Sequence, residues 1–484
     1  MTWLLSARLG LLWAALVGRP AGPLAAPAAG GRSLASVNEA YGELGEAAWA
    51  WVLGQVRGDE GPWLPEVVSG DGSPAGPGAD RDSVYAGIGG LAPVLAEISQ
   101  CRALTGAEQA LAAGIVARLG AVVPGRAEPS LYDGLGGDVT ALRLLAPGSE
   151  QAALALLAEL MTPRGWHTTL QIVPGSTAPV TDLIQGNAGV VLAAIWAGGE
   201  HARGIASTGG QALLDAADPA EGGLDWAMVP GARSRAPNYS HGTAGVATAL
   251  AIAGAALGRA DFTAAAAQGA AHLLAVGRLD EDGFIVPHTL PYPTRDVEPV
   301  TYNWCHGPAG TSQLFAALAL AGVDKIDGMP VTWLRQRCLD AILASGVPTR
   351  LRPGFWDNDG RCCGTAGVGD VLLDAAQDCG DPARAGRLLQ EACTMADALA
   401  GRAIRDQAGA RWRFTEHRQD PPLLPPGTSW MQGAAGIAAF LLRLARVLRT
   451  GLTAPVVDRP DQWWAVPARL RTVHTGSQIP PGQA

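Results

Sequence analysis

The stretch His241–Ala253 reads HGTAGVATALAIA: two glycines three residues apart, then a run with almost no polar relief. One Gly-x-x-Gly carries little information, but this unit recurs seven times. The other copies are AGIGGLAPVLAEI from Ala86, DGLGGDVTALRLL from Asp133, QGNAGVVLAAIWA from Gln185, HGPAGTSQLFAAL from His306, CGTAGVGDVLLDA from Cys363 and QGAAGIAAFLLRL from Gln432. Their first glycines fall at 87, 134, 186, 242, 307, 364 and 433, at intervals of 47 to 69 residues. Self-similarity at such a period marks a repeat architecture.

Each interval has room for two helices. Runs such as Val190–Ala197 and Val246–Ala253 are apolar all round, which is the pattern of helices buried on every side. Stretches between the units, such as Ala107–Leu119 and Asp381–Leu399, keep a polar face. The chain is therefore expected to be all-α, an inner ring of buried helices inside an outer amphipathic ring. The glycines would sit at inner-helix N-termini, allowing tight turns and close backbone approach. An open solenoid is the alternative, but seven units with a single polar cluster favour closure. Strand signals are confined to short pieces such as Gly165–Val173 and Gly283–Val286.

Composition agrees. Of 484 residues, 64 are glycine, nearly double the usual share of about 7%. Apolar residues make up 48% and charged ones 16%, which excludes general disorder. The glycines follow no three-residue period, which excludes collagen. The net charge of −9 excludes a generally basic nucleic-acid binder. Length alone suggests about three domains. The repeats run across any such boundaries, so one toroidal domain is expected over 34–450, with a leader at 1–33 and a partly disordered extension at 451–484. The leader contains a short apolar run, Leu9–Gly18, behind Arg8, resembling a weak signal peptide. A cytoplasmic location is expected, with secretion as the alternative. No other stretch is read as a membrane span, and no membrane partner is expected.

Chemical residues cluster just before certain glycines. Asp182 lies four before Gly186, His241 directly before Gly242, Trp304-Cys305-His306 before Gly307, and Cys362-Cys363 before Gly364. The first and last units carry Tyr85 and Gln432 there. If the units superpose in a ring, these side chains meet at one end of its axis. Three cysteines so placed have the makings of a zinc site, which uses thiolates and imidazoles. Cys101, Cys338, Cys379 and Cys393 flank no glycine pair and are read as core residues. His306 is read as buttressing the site or as structural, with a fourth ligand as the other option, and Trp304 as packing beside the metal. On their own, His241 can be a capping or core histidine and Asp182 only a helix N-cap. His167, His288 and His417 fall outside the units, and His417 is read as a solvated loop histidine. The Pro-rich stretches 287–299 and 420–427 are read as ordered loops over the ring.

With its seven glycine units, WCHG and CCG, the chain resembles the lanthionine synthetase C-like family over about Leu34 to Leu448. The resemblance implies an α/α toroid of seven inner and seven outer helices with Zn²⁺ at one end. By position the zinc ligands fall on Cys305, Cys362 and Cys363, the last standing where the family usually has histidine. His241 falls on the family's acid–base histidine and Asp182 on its acidic partner. A basic residue often found four before the first zinc cysteine is here Thr301. The implied activity is addition of a cysteine thiol to dehydroalanine or dehydrobutyrine in a dehydrated precursor peptide. Dehydration itself would fall to a separate partner. Two alternatives are a zinc protein that binds or adds glutathione or another small thiol, and a non-catalytic thiol-binding module. An α/α-toroid glycoside hydrolase would need paired carboxylates across a cleft, and no acidic pair recurs beside the glycine units.

Overall fold

The computed structural model describes residues 34–69, 75–76, 80–169, 178–291, 299–349, 358–415 and 423–461. Fourteen α-helices run through them: α1 (Leu34–Gln55), α2 (Leu91–Cys101), α3 (Gly106–Val122), α4 (Leu135–Leu145), α5 (Gln151–Glu159), α6 (Asn187–Ala197) and α7 (Glu200–Asp215), then α8 (Thr243–Leu257), α9 (Ala260–Val276), α10 (Pro308–Leu320), α11 (Val331–Ala344), α12 (Thr365–Gln377), α13 (Pro382–Arg402) and α14 (Ala434–Thr450). The even-numbered helices make the inner ring. Each packs on the next, and α14 packs back on α2, so the ring closes. The odd-numbered helices lie outside, and α1, from the other end of the chain, covers α14. This is the all-α toroid expected from the repeats. Helix α8 is buried from Thr243 to Gly254, whereas α3 turns only Glu108, Leu111, Ile115 and Leu119 fully inward. The stretch Gly106–Gly125 is long and apolar enough to cross a membrane by length and composition alone. Here it forms an outer helix and the turn after it.

The reason for the glycine pairs is steric. Neither needs a left-handed backbone: Gly242 has φ −163° and Gly87 φ −95°. Instead, the loop before each inner helix doubles back over its start. A Cβ on Gly242 would overlap the Ala236 carbonyl, and one on Gly245 the Tyr239 carbonyl, each six residues earlier. The same clash meets Gly134, Gly189, Gly310, Gly364, Gly367 and Gly436. The loop carbonyls also do the work of a cap. Thr243 N–H donates to Ala236 O (3.2 Å), Thr365 N–H to Asn358 O (3.0 Å) and Ala434 N–H to Gly427 O (2.9 Å), and no side chain caps these helices. Helix-start donors are thus satisfied by the segment that carries the chemical residues.

Five two-stranded antiparallel ribbons are the only sheets among the described residues. Gly283–Ile285, within an expected strand piece, pairs with Arg278–Asp280. Of the other expected piece, 165–169 form no strand, Gly165 making only an isolated bridge to Thr162, and 170–173 lie outside the described residues. Ribbons at 218–225, 278–285 and 404–411 return the chain from outer helix to inner loop. Gly451–Asp461 of the expected extension is described and ends buried; the remainder, like the expected leader 1–33, lies outside the described residues.

Candidate functional site

Seven equivalent loops meet at the helix-start end of the ring. The residue two before the first glycine is Tyr85, Tyr132, Ile184, Ser240, Cys305, Cys362 or Met431. Backbone hydrogen bonds stitch these positions together: Ile184 N–H to Ser240 O (3.3 Å), Ser240 to Cys305 (2.9 Å), Cys305 to Cys362 (3.2 Å), Cys362 to Met431 (2.7 Å), Met431 to Tyr85 (3.3 Å) and Tyr85 to Tyr132 (3.2 Å). Cys305 and Cys362 therefore occupy matching places on adjacent loops, and Cys363 stands one residue on. Their sulfurs all lie within 4.8 Å of one another, with Cys305 and Cys363 3.5 Å apart. All three are buried. Among the described residues this is the one cluster of three or more such side chains close enough to share a metal ion.

The three thiols are not equivalent. Thiol hydrogen bonds from Cys305 and Cys363 hold Cys362 well below the ordinary thiol range, helped by Tyr85. Burial, with the charge on Cys362, pushes Cys305 and Cys363 well above it. One thiolate is thus all the bare site readily carries, and three need a cation among them. Zinc–sulfur bonds of about 2.3 Å in a tetrahedron put sulfurs about 3.8 Å apart, close to the spacing here. The donor set fits a zinc-like ion.

Beside the thiols stand the acid and imidazole. His241 Nδ1 is 2.6 Å from Asp182 Oδ2. The other Asp182 oxygen accepts from Gln185 N–H at 2.8 Å, so the carboxylate both shapes its own turn and orients the imidazole. Asp182 is fully buried, while His241 is 31% exposed and so can meet a substrate. Burial opposes charge on His241, but the hydrogen bond and charge of Asp182, and the charge of Cys362, outweigh it and raise its pKa. Asn238 makes the corresponding turn in the next loop, accepting from His241 N–H (3.1 Å), and Asn303 accepts from His306 N–H (3.0 Å). His306 places Nδ1 3.0 Å from Cys305 Sγ. Burial, then His288 and His241, hold it well below the usual imidazole range, so it stays neutral. Trp304 packs edge-on against Tyr239 (5.4 Å) and Tyr132 (6.3 Å), under Cys305. Thr301 is buried and uncharged.

Three residues near the thiols and acid–base pair carried no assigned role in the sequence reading. His288, from the Pro-rich loop, is buried and sits edge-on against His306 at 4.3 Å. Tyr85 hydrogen-bonds Gln432 (3.0 Å) and Cys362. Asp133, directly before Gly134, has its pKa pushed up to about 7 by burial and by Asp80, Glu128 and Asp182. Asp133 and Tyr85 were findable from the repeat, since they hold the same loop positions as His241 and Cys305. His288 had no such signal. His417 lies outside the described residues.

The profile of the family described as "Lanthionine synthetase C-like protein" matches residues 78–449. No curated protein sequence matches. Among solved structures, one described as "Nisin cyclase" is similar in fold, with TM-score 0.54 and 14% identity, covering 81% of this chain and 94% of that one.

Proposed function

The chain belongs to the lanthionine synthetase C-like family, and from that premise we propose that it is a cyclase-like enzyme forming thioethers in a dehydrated peptide. The observation that carries this reading is the buried Cys305–Cys362–Cys363 triad facing the His241–Asp182 pair. Zn²⁺ bound by the three cysteines would supply activation of an incoming thiol as thiolate at neutral pH.

The chain's own groups account for the rest. The substrate sulfur adds to Cβ of a dehydroalanine or dehydrobutyrine, forming a C–S bond. The C=C π pair moves to Cα and the adjoining carbonyl as an enolate. A proton must then reach Cα, and His241 is the exposed acid placed to give it. Asp182, bonded at Nδ1, leaves Nε2 as the working atom and stabilises the imidazolium. Neutral His306 and the aromatic layer of Trp304, Tyr239 and Tyr132 bar water from below. Thr301 offers no charge to the enolate, so His241 carries that duty. A separate dehydratase would supply the substrate, and we place the reaction in the cytoplasm.

Metal analysis and a thiol-addition assay test the proposal together. About one zinc per chain, lost on Cys305/Cys362/Cys363→Ala, with ring closure of a dehydrated, Cys-containing peptide, is the expected result. Absence of zinc from the purified protein would overturn it. Zinc with addition of glutathione but no peptide cyclisation would move the function to a small thiol.

A further inference from the structure

Helix α14 begins at the cysteine end, so Thr450 lies at the opposite end of the toroid. From there the chain turns back into the ring. Gln377, the last residue of α12, donates to Leu452 O and Ala454 O, both at 3.0 Å. Arg446 donates to Pro455 O (3.0 Å), and Trp196, near the end of α6, to Asp458 (3.4 Å). Arg459 pairs with Asp370, midway along α12, at 3.1 Å and lies over the Trp430 ring at 5.2 Å. Asp461 reaches the loop level, pairing with Arg361 (3.3 Å) and accepting at its carbonyl from the Tyr239 hydroxyl (3.0 Å). A segment that touches units three, four, six and seven can only lie on the axis. Gly451 and Thr453 are exposed, whereas Val457 to Asp461 are buried.

We propose that the bore of the toroid is a peptide-binding channel, that its ligand is the chain's own segment Ala454–Asp461, and that seating Asp461 on Arg361 and Tyr239 fixes the floor of the cysteine cluster. Within the described residues, Gly451–Asp461 belongs to no helix or strand and is gripped by side chains of the ring, as a bound peptide is. Its charges match the channel: Asp461 faces Arg361, and Arg459 faces Asp370. Tyr239, Trp304, Arg361 and Trp430 all stand three before a first glycine and form the layer under the sulfurs. Arg361 immediately precedes Cys362. Tyr239 packs on Trp304, which immediately precedes Cys305. Asp461 thus acts on both cysteine loops as a positioning residue, whatever reaction the thiols perform.

A chain ending at Leu452, titrated with the synthetic peptide TAPVVDRPD (residues 453–461), tests the channel. Saturable binding is expected, with a change in tryptophan fluorescence and slower reaction of the cysteines with a thiol reagent. The peptide carrying Asp461→Asn should bind about tenfold more weakly. A folded, truncated chain that ignores the peptide overturns the proposal. In the full-length protein, assayed well below its melting temperature, Asp461→Asn should speed thiol modification several-fold and Asp461→Glu should largely restore the slow rate. An unchanged rate in Asp461→Asn overturns the coupling even if truncation prevents folding.

Discussion

At the scale of single residues, the site turns on how charge is shared among close groups. In the proposed zinc site, a third thiolate from Cys363 where a neutral imidazole would stand takes the ion from formally neutral to −1. Such a metal lowers a bound thiol's pKa less but leaves its thiolate more nucleophilic. Cys363→His should therefore slow alkylation of a thiol by the zinc-loaded protein, measured as the loss of free thiol with time; an equal or faster rate would contradict this. Asp182 raises the His241 pKa. Asp182→Asn removes that charge, so the imidazolium loses its proton at lower pH. The alkaline limb of the pH–rate profile for thiol addition should shift to lower pH, with the acid limb little changed. The cysteines and His241 were legible in sequence because they stand at fixed offsets from a repeated glycine. The double use of Asp182 was not, because each oxygen's partner depends on how neighbouring loops are set. The helix-capping alternative for Asp182 does not hold: α6 starts at Asn187 behind Gly186 with no side-chain cap, and the carboxylate instead closes the turn before it on Gln185 N–H while its other oxygen holds His241.

At the scale of elements, the inner helices owe their starts to backbone capping by the preceding loop rather than to side-chain caps. The glycines are there because that loop lies where a Cβ would be. Gly242→Ala should cost about 4 kcal/mol or more, since the obstructing atom is a backbone carbonyl rather than a flexible side chain. Denaturant melts against wild type would read this, or soluble protein would simply fail to appear. Gly204→Ala, inside α7, meets open space and should instead stabilise by about 0.5–1 kcal/mol. The outer helices use another repeated device. Trp166, Trp226 and Trp412 each donate Nε1–H to a carbonyl near the end of the preceding outer helix, at Leu157, Leu213 and Leu399 (2.7, 2.7 and 2.8 Å). The abundance of tryptophan is thereby partly explained: these rings fill the gap between layers and satisfy a helix end at once. The ribbons just before Trp226 and Trp412 left only a faint trace in sequence, because strands of three residues are too short to show an alternating pattern.

At the scale of the whole molecule, ring closure joins the last inner helix to the first. Glu97 of α2 and Arg446 of α14 pair at 2.7 Å across that seam, each about 2% exposed. Removing one partner leaves a buried charge alone, so Arg446→Met should cost about 3–5 kcal/mol, while Glu97→Leu with Arg446→Met should cost much less than the sum. A double-mutant cycle on thermal or denaturant melts reads the coupling; additive losses would show that the seam does not depend on the pair.

By itself the sequence determined the class of fold and the end of the ring at which the three cysteines and the His241–Asp182 pair meet. Both follow from local constraints: apolar runs specify buried helices, and glycines specify where backbone passes close by. Seven repeats then place equivalent residues in equivalent positions. Only the tertiary structure decided that His288 leans on His306 and that Ala454–Asp461 threads the bore. These contacts join residues with no fixed spacing from one another, and they exist only once the ring has closed and given the chain an inside.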